Sequence, residues 1–263
     1  MRATKHSALG NEFIVVNAAD APDGVNWSEL ARRWCGGAPG ADGLIAFRHS
    51  SETSLSMLLH NRDGSRAEMS GNGIRCLVQA ASARLGQVGR QRFNVSTDAG
   101  VRVVVIEHGG APDTVASVDM GEVRQIEEPV GWSALQCDPA RPVVHLSLGN
   151  PHSVVGVESV REVPLNRLGA LVPHVNLEVI EPGDTASEVT MRVHERGVGV
   201  TSACGSGACA SAWAARAWGI ATGSAINVHM DGGSVVVLLD EPVAGSVTLV
   251  GSTRLVSEHD LVV

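Results

Sequence analysis

Along this 263-residue chain short apolar runs alternate with glycine-rich breaks, and only a few stretches carry helical spacing. Phe13–Val16, Leu44–Phe47 and Ser54–His60 read as strands, with turn-formers at Gly10-Asn11 and at Asn61-Arg62-Asp63-Gly64. Trp27–Cys35 places its apolar residues on one helical face behind a capping Asn26, and Met69–Gly86 follows the same period. Phe93–Ile106 breaks at Asp98-Ala99-Gly100, which predicts a hairpin. Strands are then expected at Val115–Met120, on both sides of Gly149-Asn150-Pro151-His152, and at Val175–Ile180 and Val189–Val193. Pro129–Pro142 reads as a polar, proline-punctuated connection. A helix begins around Gly205 and stops at Gly219, and Ile226–Leu239 repeats the hairpin pattern.

The order of these elements comes twice. With Met69–Gly86 laid under the later helix, Ser70 falls on Cys204, Gly71 on Gly205 and Gly73 on Gly207. Downstream FNVSTDAGVRVVVI falls on INVHMDGGSVVVLL, sharing Asn94/Asn227, Val95/Val228, Asp98/Asp231 and Gly100/Gly233. The expected fold is therefore α/β in composition (α+β in its segregation), built as two pseudo-symmetric, similar domains. The expected boundaries are 1–113, carrying Ser70, and 114–251, carrying Cys204, with the tail 252–263 returning to the first half.

The chemistry concentrates at the two helix starts. A helix N-terminus offers unpaired N–H groups and a favourable dipole, so a thiol at Cys204 is expected to ionise more readily, and a carboxylate could lie against Gly205, Ser206 and Gly207. If a rough twofold axis relates the domains, Ser70 and Cys204 face one another. That geometry suits the removal of a proton from one face of a carbon and its return to the other. Asn150 and His152 sit in a tight turn at a strand mouth, and Asn61 stands as far before Ser70 as Glu195 does before Cys204. Glu195-Arg196 could be a solvated ion pair, or could meet an amino acid's ammonium and carboxylate. The bland alternative is a structural cysteine, packing histidines and glycine hinges.

A net charge of −8 with a pI near 5.7, and no basic run, argues against nucleic acid and leaves a small molecule as the expected partner. Five cysteines without a CxxC pair suit a reducing compartment, and no segment approaches a membrane span, so a soluble cytoplasmic protein is expected. The single lysine, Lys5, would have to carry any pyridoxal-phosphate Schiff base, and neither GxGxxG in a βαβ setting nor GxxxxGK[ST] occurs. Ten histidines without ligand spacing offer no metal site. No cofactor and no metal are expected.

GNEF at Gly10–Phe13, NRDGSRAEMSGNGIRC at Asn61–Cys76, GNPH at Gly149–His152 and HERGVGVTSACGSGAC at His194–Cys209 together resemble the diaminopimelate epimerase family, over nearly the whole chain. The resemblance implies a cofactor-independent amino-acid epimerase of lysine and peptidoglycan synthesis. Two cysteines act there as acid and base on opposite faces of the α-carbon. It implies two α/β domains, each a mixed barrel around a central helix, often paired as a homodimer. Substrate contacts are implied at Asn11, Asn61, Gly71, Asn72, Asn150, Asn176, Glu195, Arg196, Gly205 and Ser206. Gly43 stands where some members carry a glutamine beside the substrate. The departure is Ser70, in the place of the first catalytic cysteine. A hydroxyl is far less acidic than a thiol and would need a proton relayed by His152 or Glu195. Open readings are a Ser/Cys variant that epimerises, a cysteine replaced to trap a complex, a one-base paralogue (dehydratase or isomerase), and a catalytically silent amino-acid-binding protein.

Overall fold

The computed structural model describes residues 1–239 and 246–263. The first half of the chain forms β1 (Arg2–Ala8), β2 (Asn11–Asn17), α1 (Trp27–Gly36), β3 (Gly43–His49), β4 (Ser54–Asn61), β5 (Arg66–Ala67), α2 (Gly71–Leu85), β6 (Gln91–Thr97), β7 (Gly100–Gly109) and β8 (Asp113–Glu122). The second forms β9 (Arg124–Gln125), β10 (Val143–Ser147), β11 (Pro151–Gly156), α3 (Leu165–Gly169), β12 (Asn176–Pro182), β13 (Glu188–Glu195), β14 (Gly199–Thr201), α4 (Gly205–Ala217), β15 (Ala225–Met230), β16 (Gly233–Leu239) and β17 (Ser246–Asp260). Two compact units result, 1–119 with 251–263, and 120–250.

In the first unit β1 pairs antiparallel with β2, β2 parallel with β3, β3 antiparallel with β4, and β4 parallel with β6. β6, β7 and β8 continue as a meander, and β17 pairs with both β8 and β1, so the eight strands close into a barrel without a free edge. α2 is buried nearly all round from Gly71 to Ser82, as a helix inside a barrel must be, and its run of Gly, Ala and Ser allows that close approach. It ends at Gly86 with φ 63°, the left-handed cap that glycine adopts without penalty. α1 packs outside, where Leu30, Ala31, Trp34 and Cys35 meet Ile14, Val16, Leu44 and Ala46. β2 is therefore apolar on both faces, which explains its unbroken Phe13–Val16 run.

The second unit repeats these pairings. β10 and β11 are antiparallel, β11 and β12 parallel, β12 and β13 antiparallel, β13 and β15 parallel, and β15, β16 and β17 a meander. Its central helix is α4, buried along most of its length. The ladders make the repeat exact in register: Leu44 pairs with His60 as Leu177 pairs with His194, and Phe13 pairs with Gly43 as His152 pairs with Asn176. Ile45 and Glu178 thus occupy equivalent places one step further along their strands.

Two elements differ from expectation. The Pro129–Pro142 connection is not wholly polar: a turn of 3-10 helix at Trp132–Leu135 seats Trp132 in a core with Val155, Leu165 and Leu177, its ring edge-on to His145 at 4.6 Å. β17, 15 residues long, was not singled out from the sequence, because its outer half alternates polar and half-buried positions without a long apolar run.

Candidate active site

The two helix starts are built alike. In the first unit Ser70 is the N-cap of α2, in extended backbone conformation, and its Oγ accepts the N–H of Gly73 at 3.1 Å. In the second, Cys204 is the N-cap of α4, and its Sγ accepts the N–H of Gly207 at 3.4 Å. Glycine three residues on keeps this close approach unhindered in each case. A methyl group at Gly73 would lie 3.2 Å from the Ser70 Cβ, and one at Gly207 would lie 3.3 Å from the Cys204 sulfur.

Around Ser70, Asn72 is buried and donates from Nδ2 to Asn11 Oδ1 at 2.6 Å, so two predicted substrate contacts meet. Asn72 Oδ1 in turn accepts from Arg75 at 2.8 Å, and the same guanidinium donates to the Gly71 carbonyl at 3.0 Å. Arg75 is fully buried and was not anticipated, although a charged residue inside the apolar run Ile74–Leu77 is a visible signal. Asn61 stands at the exposed end of β4, and its side chain bonds Ser65 Oγ at 3.0 Å. Gly43 cannot carry a side chain in this setting, since a Cβ there would meet the His60 carbonyl at 2.9 Å and the Phe13 ring at 3.3 Å.

Around Cys204 more of the predicted residues converge. Asn150 Nδ2 donates to Ser206 Oγ at 3.3 Å, and Asn150 Oδ1 lies 3.1 Å from His152 Nε2. The other ring nitrogen of His152, Nδ1, is 2.6 Å from Glu178 Oε1, with both side chains wholly buried. Asn176 donates to the Pro151 carbonyl at 3.1 Å and accepts the Arg196 N–H at 2.8 Å, tying the GNPH turn to the loop after β13. Glu195 accepts the Thr201 hydroxyl at 2.5 Å, and the Arg196 side chain is exposed. Glu178 and Thr201 are the unanticipated members. A lone acid within the buried strand Val175–Ile180 could have pointed to the first; Thr201 joins only through the β13–β14 pairing.

One expectation is overturned. The Cys204 thiol is not made more acidic: burial, reinforced by the carboxylates of Glu195 and Glu178, raises it well above its ordinary range. The Gly207 N–H and the Ser206 hydroxyl pull the other way and do not compensate for the burial and the two acids. Burial also raises the Glu178 carboxyl, against the pull of His152. Among the described residues no group of three His, Cys, Asp or Glu side chains gathers as a metal site, and no helix is long and apolar enough to cross a membrane.

Comparison with known proteins identifies the family and the fold. The family model for diaminopimelate epimerase matches residues 3–126 and 144–255. The chain is 39% identical over 258 residues to the diaminopimelate epimerase of Heliobacterium modesticaldum, covering 89% of this chain and 90% of that protein. It is 36% identical over 259 residues to the diaminopimelate epimerase of Pelotomaculum thermopropionicum, covering 90% and 91%. The fold is shared with a phenazine biosynthesis protein of the PhzF family from Bacillus anthracis, at a TM-score of 0.78 and 14% identity over 100% of this chain and 99% of that one. With a repeated order of strand pairings, capped central helices and this likeness along nearly its full length, the chain belongs to the diaminopimelate epimerase family.

Proposed function

We propose that this protein is a cofactor-independent isomerase that interconverts LL- and meso-2,6-diaminopimelate, in lysine and peptidoglycan synthesis, by removing the α-proton and returning one to the opposite face. The observation that carries this reading is Cys204 capping an enclosed helix, its sulfur on the Gly207 N–H and two carboxylates nearby, in a chain 39% identical to a diaminopimelate epimerase. Cys204, once deprotonated, takes the α-proton from one face. Ser70 supplies a proton to the other, and because its own hydroxyl is too weak an acid to act alone it needs the help of a further acid or base. The carbanion is stabilised as an enediolate by the N–H groups at Gly71-Asn72 and Gly205-Ser206. Arg196, Glu195 and the asparagines Asn11, Asn61, Asn150 and Asn176 hold the two amino-acid ends, which sets specificity for a substrate with a distal carboxylate and ammonium. A cytoplasmic homodimer completes the reading, its stoichiometry checked by light scattering.

The test follows deuterium into each diaminopimelate stereoisomer by proton NMR in D2O. With a thiol on one side and a hydroxyl on the other, one epimer should gain deuterium with retained configuration faster than it inverts. Ser70→Cys should bring inversion up toward the exchange rate, by about 10- to 100-fold. Loss of water or a moved double bond in place of inversion would replace this reading with the one-base paralogue, and absence of any exchange would leave a binding protein.

A further inference from the structure

Glu178 has no assigned part in the chemistry, yet among the described residues it is the most confined carboxylate in the second unit. Its side chain is fully buried, Oε1 is engaged by His152 Nδ1 at 2.6 Å, and Oε2 has no hydrogen-bond partner. A carboxylate with a bare oxygen in an apolar interior is unfavourable unless a proton or an ion pair is at hand. His152 makes that proton available. Asn150 Oδ1 can only accept, so the 3.1 Å contact places a hydrogen on His152 Nε2. The short contact at Nδ1 then requires one further proton, on nitrogen or on Glu178, and the pair is a buried store with room for another on Oε2. Cys204 lies on the same side: a Cβ built on Gly207 would stand 2.8 Å from Glu178 Oε1 and 3.3 Å from the Cys204 sulfur. The titratable groups facing Glu178 are His152 on β11, Glu195 on β13 and Cys204 at the head of α4. In the first unit Phe13 and Ile45 fill the equivalent positions.

We propose that Glu178 is a positioning residue that fixes His152 and, with it, accepts the proton Cys204 must release before the sulfur can take one from substrate. The S–H bond breaks with its electron pair left on sulfur, and an O–H bond forms on the Glu178 carboxylate. A thiolate, an imidazolium and a neutral carboxyl result, with no co-reactant consumed. The second unit thereby carries a usable base although its thiol is buried, and the first unit, lined by a phenyl ring and an isoleucine, has no such store. This rests on the epimerase reading for its substrate, but not for its first measurement.

That measurement is the nitrogen chemical shifts of the histidine rings in the 15N-labelled protein, which need no turnover. His152 should show a protonated Nε2 and a strongly hydrogen-bonded Nδ1, and Glu178→Gln should move the Nδ1 signal. In α-proton exchange, the parent's kcat should be flat around neutral pH. In Glu178→Gln and Glu178→Ile it should fall about 100-fold near neutrality and climb with pH as solvent becomes the only acceptor, with KM little changed. Glu178→Asp should recover part of the flat profile. Unmoved His152 signals, or variants whose kcat profile stays as flat as the parent's while only thermal stability drops, would overturn the proposal and leave Glu178 a packing residue. If the parent itself shows no exchange while the His152 signals respond to Glu178→Gln, the substrate reading fails and the proton-holding pair stands.

Discussion

The two units start from the same side-chain device and lead it to opposite charges. In the first, the asparagine after Leu9-Gly10 bonds the second residue of α2, and the chain of contacts Asn11–Asn72 continues to Arg75, a buried cation. In the second, the asparagine after Leu148-Gly149 bonds the second residue of α4, and Ser206–Asn150 continues to His152 and Glu178, a buried acid. Cys209 lies on α4 where Arg75 lies on α2. Duplication preserved backbone, register and capping, while the interior beside each helix start diverged. One side is set to favour negative charge, and the other to store a proton.

The largest effect should come from removing the thiol. Cys204→Ala should reduce α-proton exchange by about 1000-fold or more, with the fold intact and unfolding free energy lowered by only about 1 kcal/mol for the lost cap on Gly207. Loss of exchange together with loss of the folded state would make Cys204 a packing residue and erase the functional half of the comparison.

Arg75 tests the other interior. Arg75→Leu leaves Asn72 Oδ1 and the Gly71 carbonyl without their donor, and it empties the space against Gly251, whose added Cβ would lie 3.1 Å from the guanidinium. A loss of about 3 kcal/mol in unfolding free energy is expected from denaturant titration. A change under about 0.5 kcal/mol, the ordinary range of surface substitutions, would show that the cation is not integral to this helix start.

The smallest and sharpest contrast is between two alanines. Gly207→Ala drives a methyl to 2.8 Å from a buried, hydrogen-bonded carboxylate oxygen, whereas Gly73→Ala meets the Cδ1 end of Ile45 at 3.1 Å, which can turn aside. Gly207→Ala should therefore be the more destabilising, by about 1–2 kcal/mol in paired urea titrations, and it should also disturb the His152 ring signals. Equal costs would mean that the two interiors are equally pliable.

The sequence by itself determined the duplication, most of the strands, both central helices with their capping positions Ser70 and Cys204, and the family, because each is written in local terms: glycine spacing, turn-formers and period; β1 and β17, without a long apolar run, escape such a reading. It also named Asn150 and His152, a turn that packing alone does not demand. Tertiary structure decided what those residues face. Glu178 reads in the chain as one acid in an apolar strand, and only the parallel pairing of β11 with β12 places its carboxylate on His152. Arg75 reads as one charge on a helix, and only barrel closure buries it against Gly251. The acidity of Cys204 divides the same way. A helix terminus is a local feature and can be read from spacing, whereas burial and the summed field of two carboxylates come from strands distant in the chain.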